Sequence, residues 1–339
     1  MENNKNQKLF PKLKYLRNII SLILMGVVAV FILLRISTIQ DTIQVLRTMS
    51  YWMLGFAVAA QCLSYLSSGY QIKLIVYERQ NFRWLIRGTL IYIAAESVGL
   101  AGGMASAMAA TYYWVWREKG SPAQGVLSGV LPFIYNSASL ITISIIGMIY
   151  LLIMHDLTGN QAVFYSAILA VLLLGFLVII YFLFRRDRLE KLIFYSTEKL
   201  SRFRKRSYDL TNFMKSLDNF YDGIKVLSNG GWIRYGTGPA LNILFDILTL
   251  YIFFLAAGFY IRPSILIAGY SLAFLFGRST FFIPGGSGVI EAGMVAIYAS
   301  LSVPSQIAVV AVFGYRFLSF WLPSILGFGC MLYLRKSDR

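Results

Sequence analysis

Charged residues are scarce in this sequence, and their scarcity excludes most soluble folds. Only 14% of the 339 residues are Asp, Glu, Lys or Arg, and 58% are hydrophobic, whereas soluble globular domains average about 25% charged residues. Several apolar runs reach about 20 residues or more, which is long enough for a helix to cross about 30 Å of hydrocarbon. We therefore predict an all-α polytopic membrane protein with about six full spans.

Residues that commonly build catalytic and metal sites are also few. The chain has one histidine, His155, and two cysteines, Cys62 and Cys330, both in apolar segments. It contains no Cys/His metal spacing, no nucleotide-binding signature and no histidine partner for a nucleophile such as Ser287. We therefore expect no catalytic residues, no bound metal, no cofactor and no enzymatic activity.

Acidic residues are about half as numerous as basic ones. The chain has 15 Asp and Glu against 31 Lys and Arg, a formal net charge of +16. The basic residues lie in the N-terminal tail and in loops beside apolar runs, as the positive-inside rule describes for cytoplasmic segments. We therefore expect no nucleic-acid partner, and we place both termini in the cytoplasm of a multi-pass protein of the cell inner (cytoplasmic) membrane. The first apolar run is expected to be retained rather than cleaved.

The first glycine-rich stretch is not predicted to cross the membrane once. The loop HDLTGN, residues 155–160, has no Lys or Arg and is assigned to the outside, so Arg117 and Lys119 are cytoplasmic. The segment 88–116 then begins and ends on the cytoplasmic side. Its 29 residues are too few for two crossings of about 20 residues each, so we predict a re-entrant hairpin with its tip at 99–103.

A second break lies in FFIPGGSGVIE, residues 281–291, inside one of the most apolar parts of the chain. Gly and Pro interrupt the helical hydrogen-bond ladder, and irregular backbone at membrane depth is tolerated only where protein or a wet cavity surrounds it. The topology makes the segment 264–302 enter and leave from the outside. A re-entrant hairpin is the favoured interpretation, and two thin full crossings or a simple kinked packing helix are the alternatives.

The two breaks share a pattern that predicts an inverted repeat. Each has a Gly-Gly tip followed by a span that opens with Pro-x-Gln: Gly103 precedes Pro122 by 19 residues, and Gly286 precedes Pro304 by 18. In transporters with inverted repeats and broken helices, the substrate site lies at the repeat interface. The predicted parts are an N-terminal membrane half at 1–184, a basic cytoplasmic connector at 185–230 and a C-terminal membrane half at 231–339. The apolar spacing of the connector fits amphipathic surface helices or a packed cytoplasmic hairpin.

Ionisable residues at membrane depth form the candidate site. Such residues are functional by default, because a charge near the bilayer centre costs about 2.5–3.5 kcal/mol. Arg278 and Glu291 flank the second tip and are the expected pair, which Arg316 completes as a triad; the alternative is an ion pair that only fixes the hairpin. The candidate substrate-binding residues are Glu96, Gly102, Gly103, Asp246, Arg278, Pro284, Gly285, Gly286, Gly288, Glu291 and Arg316.

These residue types suit a phospholipid head group. Arginine binds phosphate through a two-pronged fork, a carboxylate binds an amine, and helix N-termini at the tips favour an anion. We therefore predict a transporter or flippase that moves a phospholipid or lipid-linked head group between leaflets. The alternative is a membrane subunit or scaffold of a lipid- or glycan-modifying transferase.

The C-terminal motif resembles that of a known family. The block FIPGGSGVIEAG, residues 282–293, followed by Arg316, Pro323 and Gly327, is similar to the signature of the lysylphosphatidylglycerol synthase transmembrane (flippase-like, UPF0104) family. The resemblance implies an integral bacterial or archaeal inner-membrane protein whose partner is an anionic or aminoacylated membrane phospholipid. This chain departs from the two-part members in lacking the soluble synthase domain after the last span, so we expect a stand-alone member that does not synthesise the lipid. A homo-oligomer is left open. The first hairpin departs from the family, because GGMASAM stands where a more polar block is expected.

The predicted topology can be tested by cysteine labelling. Single cysteines at Ser121 and at Ser302, each in a background without Cys62 and Cys330, should react with a membrane-impermeant maleimide from opposite sides of the membrane. The reason is that Ser121 follows a hairpin that enters from the cytoplasm, whereas Ser302 follows one that enters from outside. Labelling of both positions from the same side would contradict the inverted repeat.

Overall fold

The computed structural model describes residues 36–76, 82–117, 122–154, 157–188, 190–191, 194–195, 197, 231–279 and 286–337. This part of the chain is almost entirely helical and contains no strand. Helices satisfy their backbone N–H and C=O groups within one segment, as hydrocarbon requires. The helices are α1 (Ile36–Thr48), α2 (Tyr51–Val76), α3 (Phe82–Gly102), α4 (Met104–Arg117), α5 (Pro122–Met154), α6 (Gly159–Phe184), α7 (Gly231–Ala256), α8 (Pro263–Ser279), α9 (Val289–Ser300), α10 (Ser305–Arg316) and α11 (Leu322–Ser337), with a π-helical turn at Phe317–Trp321.

Four helical segments of this described part are long and apolar enough to cross a membrane. By length and composition they are Gln124–Met154, Gly159–Val178, Arg234–Ala256 and Ser305–Lys336. The predicted all-α polytopic membrane architecture is therefore confirmed. The first predicted span, at about 19–34, lies outside the described residues, so the total of about six full spans stays a prediction.

The first hairpin reverses at Gly103, between α3 and α4. Gly103 has a φ of +76°, a left-handed conformation that glycine adopts without steric cost. Beyond it, the Ser106 hydroxyl donates to the Val98 carbonyl at 3.0 Å, although eight residues of straight helix would separate the two by about 12 Å. The chain therefore doubles back within the predicted tip. Helix α4 has 14 residues, about 21 Å of helix, which is shorter than the hydrocarbon core.

The second hairpin is formed by α8 and α9, which lie antiparallel. The Tyr298 hydroxyl donates to the Leu266 carbonyl at 3.0 Å, and near the tip Ile290 packs against Gly277. Helix α9 has only 12 residues, about 18 Å, so its length favours the re-entrant interpretation over two full crossings. Residues 280–285, which include part of the predicted tip, lie outside the described residues.

The largest apolar core anchors the second hairpin. It joins side chains of α7, α8, α9 and α10, and Phe254, Met294 and Tyr298 are all fully buried within it. The rings of Phe254 and Tyr298 meet edge to face with centroids 5.1 Å apart, an arrangement that aromatic pairs prefer. Helix α9 is therefore held by packing along its length and not only at the tip.

The two halves pack in opposite orientation. Helix α2, which precedes the first hairpin, lies antiparallel to α7, which precedes the second: the Ser50 N–H donates to the Ala256 carbonyl at 2.9 Å, and further along, Asn242 Nδ2 donates to Ser64 Oγ at 2.7 Å. Helix α3 packs against α11, and α8 packs against α5. The first helix of each hairpin thus contacts the span that follows the other hairpin, an exchange that agrees with the predicted inverted repeat.

A π-helical turn interrupts the last span immediately after Arg316. Pro323 has no N–H to donate to the carbonyl four residues earlier, and its ring crowds that carbonyl. The Leu322 N–H reaches back five residues to the Phe317 carbonyl, so the helix passes the proline in a wider turn. The carbonyl of Leu318, within this turn, accepts a hydrogen bond from the hydroxyl of Tyr65 on α2. Such turns are frequent at functional sites.

Two predicted features cannot be compared with the structure. Most of the connector at 185–230 lies outside the described residues, so the choice between surface helices and a cytoplasmic hairpin stays open. His155 and Asp156, which follow α5 in the sequence, also lie outside them.

The contact between α3 and α11 leaves no room for a side chain at Gly327. A Cβ there would lie 2.1 Å from the backbone oxygen of Ile93, so Gly327→Ala must push the two helices apart. We expect a loss of about 1–3 kcal/mol, measured as a lower unfolding temperature in detergent. Gly329→Ala is the matched control, because nothing lies within 4 Å of the added methyl group. Equal unfolding temperatures for the two variants would contradict the packing of α3 on α11.

Candidate functional site

A cavity with charged walls lies between the two hairpins. It has a volume of about 270 Å³ and is lined by residues of both halves, from α2, α3, α4, α5, α7, α8, α9 and α10. The break residues Gly103 and Gly286 both line it, and so do Ser319 and Phe320 of the π-helical turn. The two helix interruptions predicted from the sequence therefore face one space.

Four of the five ionisable residues predicted to lie deep line this cavity. Glu96 comes from α3, Asp246 from α7, Arg278 from the end of α8 and Arg316 from the end of α10. The fifth, Glu291 on α9, is bonded to Arg316. Residues far apart in the sequence are thus brought together by the packing of the two units.

Arg316 and Glu291 form a buried ion pair. Arg316 Nε lies 2.7 Å from Glu291 Oε1, and the two residues are only 3% and 5% exposed. The Arg316 guanidinium also lies near the rings of Phe274 and Phe320, at 5.7 Å and 4.7 Å from their centroids. These aromatic contacts add cation–π attraction to the ion pair. Both charges are therefore satisfied by protein groups.

Glu291 also closes the tip of the second hairpin. Its Oε2 accepts a hydrogen bond from the Gly288 N–H at 2.7 Å, one of the N–H groups that the start of a helix leaves without an intrahelical partner. The same carboxylate therefore neutralises Arg316 and caps α9. This geometry fixes the hairpin to α10.

The expected pairing of Arg278 with Glu291 is wrong. The end of α8 packs on α5, and Arg278 donates from Nη1 to the Ser137 hydroxyl there, with the Phe133 ring centroid 5.5 Å from the guanidinium carbon. In the described part of the chain, no carboxylate lies within ion-pair distance of Arg278. Arg278 and Glu291 lie on either side of one tip in the sequence, but in the fold the Arg278 side chain contacts α5 instead of Glu291.

Neutral side chains bond to both cavity carboxylates, and the charge of Arg316 also attracts Glu96. Asp246 Oδ1 accepts hydrogen bonds from Gln61 Nε2 at 3.0 Å and from Ser64 Oγ at 2.7 Å, and Oδ2 accepts a longer one from the Tyr270 hydroxyl at 3.3 Å. Glu96 interacts with Tyr92, one turn earlier on α3. The cavity thus contains Arg278, a cation with no carboxylate partner among the described residues, together with two carboxylates.

The predicted tip residues divide between the cavity and the helix ends. Gly103 and Gly286 line the cavity, whereas Gly102 is an exposed residue at the end of α3. Gly288 supplies the N–H that Glu291 caps. Pro284 and Gly285 lie outside the described residues.

Sequence reasoning missed the polar face of α2. Gln61, Ser64, Ser68 and Gln71 are all buried in this helix, and their spacing of three, four and three residues puts them on one helical face. Ser68 and Gln71 line the cavity, and the other two bond to Asp246. The sequence pattern that could have revealed this face is the helical spacing of polar residues within an apolar span.

Metal binding has no support in the described residues. Within them, no group of three or more His, Cys, Asp or Glu side chains is placed to hold a metal ion. The chemistry that this part of the chain offers at the cavity is ionic and hydrogen-bonding.

The fold and the cavity define a helical membrane protein with two broken hairpins that enclose a charged site. A family model described as the lysylphosphatidylglycerol synthase TM region matches residues 18–327. The chain therefore belongs to this family, as the C-terminal motif indicated.

A curated relative supports the same grouping. The chain is similar to the UPF0104 membrane protein MJ1595 of Methanocaldococcus jannaschii, with 25% identity over 162 residues. The matched segment covers 47% of this chain and 48% of the relative, so the chain spans about half the length of the relative that it matches. The name of the relative describes a membrane protein, in agreement with the helical spans found here, and it states no activity.

The ion pair predicts a large loss of stability when one partner is removed. Glu291→Ala leaves the Arg316 guanidinium buried without its carboxylate, which typically costs about 3–5 kcal/mol. Glu190→Ala removes the carboxylate of an i,i+4 pair with Arg186, also at 2.7 Å but with side chains 26% and 41% exposed, and should cost about 0.5 kcal/mol or less. Unfolding of both variants in the same detergent measures the difference.

A double variant separates pairing from simple loss of packing. Glu291→Ala combined with Arg316→Ala removes both charges of this pair, so its cost should be smaller than the sum of the two single variants. Additive costs would show that the two side chains do not stabilise each other.

Proposed function

We propose that this protein is a transporter or flippase that moves a phospholipid or lipid-linked head group across the cytoplasmic membrane. The observation that carries the proposal is the cavity between the two broken hairpins, where Arg278 and two carboxylates are available together. Intramembrane charges on the wall of a cavity mark substrate pathways in membrane proteins.

Arg278 is the proposed phosphate-binding residue. A guanidinium carries five N–H donors, and the contact with Ser137 uses Nη1, so further donors remain for a ligand. The nearby Phe133 ring restrains the guanidinium. A planar, partly fixed guanidinium suits the two-pronged binding of phosphate. Arg316 is less suited to this role because Glu291 already neutralises it.

Glu96 is the proposed partner for an amine on the head group. It lines the same cavity as Arg278, so a zwitterionic or aminoacylated head group can meet a cation and an anion at once. A carboxylate binds an ammonium group through charge-assisted hydrogen bonds. The name of the family refers to lysylphosphatidylglycerol, which makes aminoacylated phosphatidylglycerol a candidate substrate beside simpler anionic lipids.

The size of the cavity supports a head group rather than a whole lipid. Its volume of about 270 Å³ lies just below the range of about 300–1,000 Å³ that is usual for ligand pockets. The acyl chains would stay in the surrounding lipid while the polar group passes between the hairpins. We also propose that both termini face the cytoplasm and that the protein performs no covalent chemistry on the lipid.

A leaflet-accessibility assay tests this function. Purified protein in liposomes should speed the exposure of fluorescent lipids to a membrane-impermeant quencher, with anionic, zwitterionic and lysyl head groups compared in parallel. Arg278→Ala should slow the preferred lipid by about tenfold or more, because a hydrogen bond to a charged group contributes about 1.5–3 kcal/mol. Arg278→Lys should recover part of the rate, since it keeps the charge and loses the fork.

Arg262→Ala provides the control for the arginine variants. Arg262 is exposed in the loop before α8, so its loss should leave the rate unchanged. If wild-type protein accelerates none of the lipids, the flippase proposal fails and the membrane-subunit or scaffold function is favoured.

A further inference from the structure

Asp246 differs from Glu291 in what surrounds its charge. Glu291 bonds to an arginine, whereas the donors to Asp246 are the neutral groups of Gln61, Ser64 and Tyr270. In the part of the chain that the structure describes, no Lys or Arg lies within ion-pair distance of Asp246. An ionised carboxylate that is removed from water without a counter-charge is destabilised unless a cation joins it.

The Gln61 amide provides an independent sign of a second state. This side chain is only 3% exposed, and its Oε1 is buried without a hydrogen-bond partner among the described residues. Its Nε2 donates to Asp246. The N and O ends of an amide are nearly equal in shape, so a half-turn of the amide would present Oε1 to the carboxyl group. An acceptor at that place is what a protonated carboxyl needs for its O–H.

We propose that Asp246 is a proton-binding site whose occupancy changes as the protein moves a head group. This inference rests on the proposed lipid movement for its coupling but not for proton binding itself. The carboxylate takes a proton that bulk water supplies as hydronium: the O–H bond of the neutral carboxyl forms, one O–H bond of hydronium breaks, and a neutral water molecule is released. The Gln61 amide turns from donor to acceptor in the same step.

The position of Asp246 links its charge to the packing of both halves. One carboxylate connects three helices, since Gln61 and Ser64 lie on α2, Asp246 lies on α7 and Tyr270 lies on α8 of the second hairpin. Hydrogen bonds to an ionised acceptor are about twice as strong as those to a neutral one. Protonation of Asp246 therefore weakens the hydrogen bond that joins α7 to Tyr270 of the second hairpin.

The charge balance of the site couples the proton to an anion. Glu96, Asp246 and Glu291 oppose Arg278 and Arg316, so three carboxylates against two guanidinium groups leave one net negative charge when all are ionised. A phosphate at Arg278 adds further negative charge, which favours protonation of Asp246. By linkage, a proton at Asp246 favours the phosphate in turn.

The groups around Asp246 are mostly tyrosines. The titratable groups that face it are Tyr65 on α2, Tyr92 and Glu96 on α3, Tyr270 on α8 and Tyr315 on α10. Helix α5 also packs against α7 and has no charged residue between Pro122 and Met154. Glu96 is the one carboxylate in this set, so a test must separate its proton from that of Asp246.

The donors around Asp246 suit a proton better than an alkali ion. Calcium and magnesium are bound by six or more oxygen ligands, whereas one contact to the carboxylate is an amide N–H and two are hydroxyl donors. Because the hydroxyl oxygens also carry lone pairs, sodium binding is the competing outcome that the experiment must detect.

Infrared spectroscopy on purified full-length protein in lipid nanodiscs tests proton binding directly. Difference spectra between high and low pH should contain a protonated-carboxyl band that is lost in Asp246→Asn and displaced in Asp246→Glu. The band should persist in Asp187→Asn, which makes the same change at an exposed position, and in Glu96→Gln. A band that disappears in Glu96→Gln but not in Asp246→Asn, no titrating band at all, or a band that changes with sodium but not potassium would overturn the assignment.

Transport under an imposed pH gradient tests coupling. In liposomes, reversing the gradient should change the rate of lipid movement for wild type and for Asp187→Asn, and this response should be lost in Asp246→Asn. Equal rates in both gradient directions for wild type would overturn the coupling. If no lipid moves but the Asp246 band titrates, the proton site stands and the flippase proposal fails. If Asp246→Asn does not fold, the displaced band of Asp246→Glu still decides the assignment.

Discussion

Backbone hydrogen bonding at membrane depth is the constraint on which this structure depends. Hydrocarbon offers no partner to an N–H or C=O group, so the two helix interruptions must be surrounded by protein. The fold meets this constraint by turning the breaks at Gly103 and Gly286 toward one internal cavity. Once the breaks share a space, the charges beside them share it too, and a site for a polar ligand follows from the same arrangement.

The positions of the breaks could be predicted from the sequence, but the pairing of the charges could not. Glycine pairs in apolar surroundings mark chain reversals through local chemistry, and the reversal at Gly103 lies within the predicted tip. The partner of Glu291 depends instead on which helices pack together. Because α8 packs on α5, Arg278 reaches Ser137, and the carboxylate is left to Arg316, 25 residues further along the chain. The sequence of the tip alone does not show which helices pack together, so it does not predict this pairing.

The two arginines of the cavity have different physical roles although both were predicted as ligands. Arg316 is surrounded by Glu291 and two aromatic rings, so its charge serves the packing of the second hairpin. Arg278 touches a hydroxyl and one ring, which leaves its charge available to the cavity. The polar face of α2 escaped prediction because no single residue on it is charged at the cavity; only the helical spacing of its Ser and Gln residues reveals it.

The π-helical turn at Phe317–Trp321 determines how the last span tolerates a change of length. A π turn holds one residue more than an α-helical turn and still completes one turn about the axis. Deleting one residue from it would leave an α-helical turn and keep Ser324 and Gly327 facing α3, but the ring of Pro323 would then crowd the carbonyl four residues earlier. The extra residue therefore lets the proline and the contact surface of α11 belong to one continuous helix.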